Sequence, residues 1–378
     1  MNETWWVNPS QLDPKQRDVL KAEPETDLLI VGPPGSGKTN ILVLRANYVR
    51  SVAPRLLLIT FTRTLAEFLR SGPNIGRADQ IQKEEITTFM AWGRRTLRDH
   101  GYEPPETTDD FDDDRNALIQ ALHEMIDAEQ PGRLYDVVFV DEVQDFYDAE
   151  LQLLRRVAKQ INAAGDSRQA IWRHKEGLPS MRAMVDEVVE LEKHYRIGRR
   201  ICRFADQILP PKEGDPPMIE GSNYDEDGRP SSVEPIQCGD IDDQFERCIQ
   251  EIRKQVRYIV DEPIAVLAQR GEVRDDFWER LQEEPDLAAR AIIQRQEGYQ
   301  PFGPDSLIRV MTVASAKGSE CRAVHLLAAE EFGTNRRELA FTAVTRAKTE
   351  VRLYHTAALP GHMQPPRDQL PDNLDAIF

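Results

Sequence analysis

One run, Val31-Gly32-Pro33-Pro34-Gly35-Ser36-Gly37-Lys38-Thr39, limits what this chain can fold into more than any other stretch. It follows the apolar run 28–31 and precedes a helix-compatible run over 40–49, the strand, loop, helix order that a phosphate-cradling loop requires. The spacing G-x-x-x-x-G-K-T is complete. Gly32, Gly35 and Gly37 let the backbone curl so that successive N–H groups point inward, and the helix N-terminus behind them adds positive potential. Lys38 is then placed to reach the β- and γ-phosphates of a nucleotide, and the Thr39 hydroxyl to hold Mg²⁺. Pro33, Pro34, Ser36 and Asn40 complete the expected nucleotide-contacting set. The competing reading, a Gly-rich turn ahead of a surface helix, does not require a Lys-Thr pair at that spacing.

Later strands supply candidates for the chemistry. The apolar run 137–140 reads as a strand buried on both faces, and it ends in Asp141-Glu142-Val143-Gln144-Asp145. Adjacent carboxylates at a strand end are what a Mg²⁺–triphosphate site needs opposite the phosphate loop, with Asp141 toward the metal and Glu142 as the base that orients water. Residues 55–63 read as another buried strand, leaving the sheet at Thr60, Phe61, Thr62 and Arg63. Ligands gather at the carboxyl ends of parallel strands. An aromatic between hydroxyls suits a stacked base and its phosphate, and equally suits a core Phe beside a capping Thr. Thr88-Phe89 repeats the pattern. Gln169 offers an amide to a γ-phosphate and Trp172 a ring to a base.

Two segments stay open on their residues alone. Asp13 caps a short helix with Pro14 at its first position, and Gln16 on it is either an ordinary surface residue or an amide facing adenine. Residues 191–200, with Tyr195 and Arg196, form the most basic segment. On its own that segment reads as a solvated helix start.

A chain of 378 residues with 40% hydrophobic content has material for two cores. Its formal charge of −17 disfavours indiscriminate attraction to nucleic acid, so any such contact needs a local groove. Cys202, Cys238, Cys248 and Cys321 show no C-x-x-C or Cys/His metal spacing, which reads as reduced thiols in a cytoplasmic protein without structural zinc. The start of the chain lacks a basic-then-apolar leader, and no run approaches membrane-spanning length. The acidic residues 103–114 read as a solvated loop, 210–239 as an irregular connector, and the residues from 359 as a loosely ordered tail.

Taken in order, these segments resemble the UvrD/Rep-like branch of superfamily 1 DNA helicases across nearly the whole chain. Residues 32–39 resemble motif I, 60–63 motif Ia, 88–89 motif Ib, 141–145 motif II and 165–169 motif III. Residues 195–196 resemble motif IV, 312–320 motif V and 344–347 motif VI. The resemblance implies an α/β fold of two RecA-like P-loop NTPase domains with parallel sheets. Residues 1–190 would form the N-terminal ATP-binding domain, with a short acidic insertion near 100–130. Residues 191–358 would form the C-terminal domain, and 359–378 a Pro-rich tail.

The resemblance also implies roles. Gln16 would read adenine and Tyr195 stack on it; Gln169, Arg196 and Arg346 would meet the γ-phosphate; Gly318 and Glu320 would lie at the ribose and nucleotide site. Single-stranded DNA would run over Thr60, Phe61, Thr62, Arg63, Thr88, Phe89, Trp172, His174, Thr312 and Ser315. Departures are visible too: His174 stands where relatives carry a stacking Trp, Trp172 where they carry a Tyr, and Ala314 and Met90 where they carry His. The gaps that hold the accessory 1B and 2B domains in relatives are short here, so a compact form is expected. The implied function is an ATP- and Mg²⁺-dependent single-stranded DNA translocase or helicase of 3′-to-5′ polarity. The alternative is a nucleotide-gated, DNA-sensing regulatory ATPase working with a protein partner, such as a nuclease of repair or anti-phage defence, without unwinding of its own. RNA in place of DNA leaves no short signature.

Overall fold

The computed structural model describes residues 6–108, 110–169, 176–212, 215–295, 302 and 306–366. The chain divides into two compact units, one built on Glu3–Gly32 and Gly37–Leu191, the other on the residues from Glu192 onward, with which Pro33–Ser36 group.

The first unit runs α1 (Pro14–Lys21), β1 (Leu28–Val31), α2 (Lys38–Val49), β2 (Leu56–Thr60), α3 (Arg63–Arg70), β3 (Ile86–Thr88), α4 (Phe89–Asp99), α5 (Phe111–Glu129), β4 (Tyr135–Val140), α6 (Asp148–Val157), β5 (Ala158–Gly165), α7 (Gly177–Met184) and β6 (Glu187–Glu190). Its strands form one parallel sheet in the order β3-β2-β4-β5-β1-β6. Side chains alternate across a strand, and the apolar runs of β1, β2 and β4 therefore feed two cores. Leu28, Ile30, Leu56, Leu58, Val137 and Phe139 pack with α1, α2 and α3. Leu29, Leu57, Ile59, Val138 and Val140 pack with α4, α5, α6 and α7. Helices on both faces force short connections at the strand ends, which puts the loops after β1, β2, β4 and β5 along one edge.

The second unit runs α8 (Arg199–Ile208), β7 (Ser232–Gln237), α9 (Ile241–Gln255), β8 (Ile264–Ala268), α10 (Gly271–Gln282), α11 (Pro285–Ala288), β9 (Ala291–Ile293), β10 (Ile308–Thr312), β11 (Cys321–Leu326), α12 (Arg337–Val344) and β12 (Ala347–His355). Again the sheet is parallel, in the order β7-β12-β11-β8-β10-β9. One face is covered by α8 and α12, the other by α9, α10 and α11. Two parallel sheets with helices on both faces are consistent with two RecA-like P-loop domains.

Three segments differ from the sequence reading. The acidic stretch 103–114 is not loop throughout: α5 begins at Phe111, and the Asp110 carboxylate accepts from the Asp112 and Asp113 N–H groups. Acids there sit where the helix macrodipole favours them, while Leu118, Leu122, Met125 and Ile126 bury the other face. Burying each such side chain contributes roughly 1.5–3 kcal/mol, more than any preference of the acidic run for solvent. The connector 210–239 contains β7 despite Pro235, because β7 is an edge strand and a proline there costs no ladder bond on its open side. The residues after 359 are not all loose, since Leu359 and Met363 sit in the second unit's core.

Candidate functional site

The phosphate loop takes the shape its glycines permit. Gly35 and Gly37 have φ of 76° and 82°, left-handed values that only glycine adopts without strain, and α2 begins immediately after, at Lys38. The Lys38 ammonium donates to the Gly32 carbonyl at 2.8 Å and lies 3.8 Å from the Asp166 carboxylate. Asp166 follows β5, the strand beside β1. Burial raises its carboxyl above the usual range, with Lys38 pulling the other way.

Asp141 leaves β4 and is 1% exposed. Its side chain accepts from the Glu142 N–H at 3.0 Å and bonds the Thr39 hydroxyl. Its second oxygen, Oδ2, is buried with no hydrogen-bond partner among the described residues. Burial first, and the Glu142 charge second, push this carboxyl up to about 7. An orphaned carboxylate oxygen beside a threonine hydroxyl, at the mouth of a phosphate loop, fits a hard cation that takes oxygen ligands. The residues present therefore suit Mg²⁺ held by Thr39 and Asp141.

Glu142 has φ of 56°, a left-handed conformation that costs a non-glycine residue about 1–2 kcal/mol. The turn is held by Gln144, whose amide nitrogen donates to the Glu142 carboxylate and whose carbonyl oxygen accepts from the Asp166 N–H at 2.9 Å. Strain of this kind collects where a side chain must be aimed. Gly165 is also explained here: a Cβ on it would come within 2.6 Å of Val143 and 3.0 Å of the Gln144 amide oxygen. Gln169 is 3% exposed. Lys38, Thr39, Asp141, Glu142 and Asp166 are thus brought together, joined by Gln144, which the sequence reading left without a role.

In the second unit, Arg196 Nη1 donates to both oxygens of Glu320 at 2.7 Å. Burial would raise the Glu320 carboxyl, but the Arg196 charge and then Lys348 outweigh it and hold the group below the usual range. Arg346, 5% exposed, leaves α12 with Nε donating to the Thr342 carbonyl at 3.1 Å and Nη1 to the Ser319 carbonyl at 3.2 Å. The 312–320 loop opens with the Thr312 and Ser315 hydroxyls 3.0 Å apart and turns at Gly318, φ 78°. Arg196, Arg346 and Glu320 therefore share one neighbourhood. The segment 191–200 is not a solvated helix start, since His194 and Ile197 are buried and α8 begins only at Arg199.

The remaining candidates divide. Gln16 is buried, and its side-chain oxygen accepts from the Asp13 N–H at 3.0 Å to complete a capping box. Thr60 donates to the Thr62 carbonyl, Thr62 caps α3 and Thr88 caps α4. Phe61 is half-buried on the strand-end edge and Arg63 is exposed. Phe89, 3% exposed, packs with its ring centroid 5.5 Å from that of Trp92 in the core. Trp172 and His174 lie outside the described residues. Tyr195 is half-buried.

Against known families, residues 16–175 match an AAA domain model and residues 307–354 a UvrD-like helicase C-terminal domain. The AAA domain match thus comes first along the chain and the match to the UvrD-like helicase C-terminal domain second, and neither covers half of the chain. No curated protein sequence matches this chain. Among the many solved chains that do match is the PRRSV helicase, at 15% identity and a TM-score of 0.42, covering 90% of this chain and 54% of its own. The chain spans about half the length of that helicase, and a likeness of that size carries no argument about what this one acts on. Among the described residues, no helix is long and apolar enough to cross a membrane.

Proposed function

We propose that this chain is an ATP-hydrolysing motor that steps along single-stranded DNA with 3′-to-5′ polarity. One observation carries the reading most: Lys38, Thr39, Asp141 and Glu142 converge at the ends of β1 and β4, with the unpartnered Asp141 oxygen beside Thr39. Mg²⁺, when bound, neutralises charge on the phosphates of ATP. The chain's own groups do the rest. Residues 32–40 cradle the phosphates through backbone N–H groups, Lys38 binds the β- and γ-phosphates, and Glu142 takes a proton from the water it orients. Gln169 senses the γ-phosphate, Gln16 and Tyr195 hold the adenine, and Gly318 and Glu320 contact the ribose.

Arg196 and Arg346 meet the charge that develops on the transferred phosphoryl group. For Arg196 this means exchanging the Glu320 carboxylate for phosphate oxygens. The strand is gripped by Thr60, Phe61, Thr62, Arg63, Thr88, Trp172, His174, Thr312 and Ser315. Four buried cysteines, all unpaired, support a reducing, cytoplasmic setting.

The test is ATP turnover by the full chain with oligo(dT) of increasing length. A stepping motor shows turnover stimulated by the oligonucleotide and rising with its length. Stimulation that is flat with length overturns stepping in favour of the nucleotide-gated regulatory reading with a protein partner. Equal stimulation by oligo(U) removes the DNA preference.

A further inference from the structure

Away from the phosphate loop, one buried cation of the first unit is enclosed by aromatic rings. Arg115 lies on α5 and is 1% exposed. Its Nε and Nη2 grip the two carboxylate oxygens of Glu150 on α6. Nη2 also donates to the Asp145 carbonyl at 3.2 Å, and Nη1 has no hydrogen-bond partner among the described residues. The guanidinium carbon lies 4.7 Å from the Tyr147 ring, 5.2 Å from Phe61, 5.7 Å from Phe146 and 6.0 Å from Phe111. Phe61 and Phe146 meet edge to face at 6.0 Å.

Two functional segments converge on this one side chain. Phe61 leaves β2 on the half-buried edge, and Asp145-Phe146 is the exit from the carboxylate loop that begins at Asp141. Between them, Gln144 holds both the Glu142 carboxylate and the Asp166 N–H. A plain stabilising role accounts poorly for the arrangement. Apolar side chains of similar volume usually replace a buried ion pair with little or no loss of stability, and Glu150 meets the backbone of its own helix start through the Tyr147 N–H regardless of Arg115.

We infer that Arg115 is a positioning residue coupling nucleic-acid contact at Phe61 to the carboxylate loop of the ATP site, an inference that rests on the function proposed above. A cation is attracted to the face of a nearby ring, so a base that stacks on Phe61 and shifts its ring changes the field and packing at the guanidinium. Arg115 is tied to the Asp145 carbonyl, and the shift passes into the turn that aims Glu142.

The test compares ATP turnover with and without saturating oligo(dT) in wild type, in Arg115→Lys, and in the double variant Arg115→Met/Glu150→Met, which leaves no unpaired buried charge. The readout is the ratio of stimulated to unstimulated turnover. In the double variant this ratio falls at least about fivefold, toward one, and Arg115→Lys, which keeps the charge but loses the fork, is intermediate. Phe61→Leu lowers the ratio in wild type and adds nothing in the double variant, the non-additivity of residues acting as a unit. A purely structural role lowers both rates together and leaves the ratio at the wild-type value, and that result overturns the inference. A wild-type ratio of one with no oligo(dT) binding overturns the proposed function itself, and the coupling role with it.

Discussion

Replacing Lys38 with alanine abolishes ATP turnover, a loss of at least about 10²–10³-fold. The Lys38 ammonium is fixed by the Gly32 carbonyl on one side and Asp166 on the other, and truncation removes the charge that would meet the phosphates. Truncation also leaves the buried Asp166 carboxylate without its nearest cation. Burial already raises that carboxyl, and loss of the Lys38 charge raises it further. Phosphate release at saturating nucleotide measures the effect, with thermal melting to show that the fold persists. Lys38→Met, which keeps the volume of the side chain, gives the same loss. Turnover near the wild-type rate in either variant removes Lys38 from the chemistry.

The second large effect separates binding from reaction. Glu142→Gln is isosteric and keeps an oxygen to accept from Gln144, so the turn at Glu142 is retained. What disappears is the base, worth about 10²–10⁴-fold in rate. The variant binds ATP and holds it unhydrolysed. Binding has a second reason to survive: the Glu142 charge is one of the causes that raise the Asp141 carboxyl. Its removal favours the ionised Asp141 that a cation requires. Equilibrium binding of labelled ATP alongside single-turnover hydrolysis reads both halves. Hydrolysis at the wild-type rate removes the base assignment, and loss of binding removes the separation between the two roles.

How much of this was legible in the residues depends on whether the information was local. The phosphate loop and the strand ending in Asp141-Glu142 were readable because periodicity and residue type coincide within a few positions. The parallel sheets followed from runs such as Val137–Val140, apolar on both faces. Gln144 and Asp166 were visible as residues but not as a pair, because what joins them is the adjacency of β4 and β5, a long-range contact with no sequence spacing. Phe89 illustrates the converse. It follows a threonine as Phe61 does, yet its place at the start of α4 turns it toward Trp92. Arg115 was hidden inside an acidic stretch whose composition suggests solvent, while the Leu118 and Leu122 spacing that buries the helix begins only after it. β7 was missed because proline argues against a strand everywhere except at a sheet edge, and which strand is an edge is a property of the finished sheet.

The proposed function has Arg346 meet the charge that develops on the phosphoryl group whose transfer Lys38, Asp141 and Glu142 promote. Single-turnover ATP hydrolysis by Arg346→Ala tests it most directly, paired with the affinity for a non-hydrolysable ATP analogue. The account predicts a rate at least about 10²-fold lower, the scale of a lost arginine contact in phosphoryl transfer, with affinity within about threefold of wild type. Hydrolysis at the wild-type rate would contradict it.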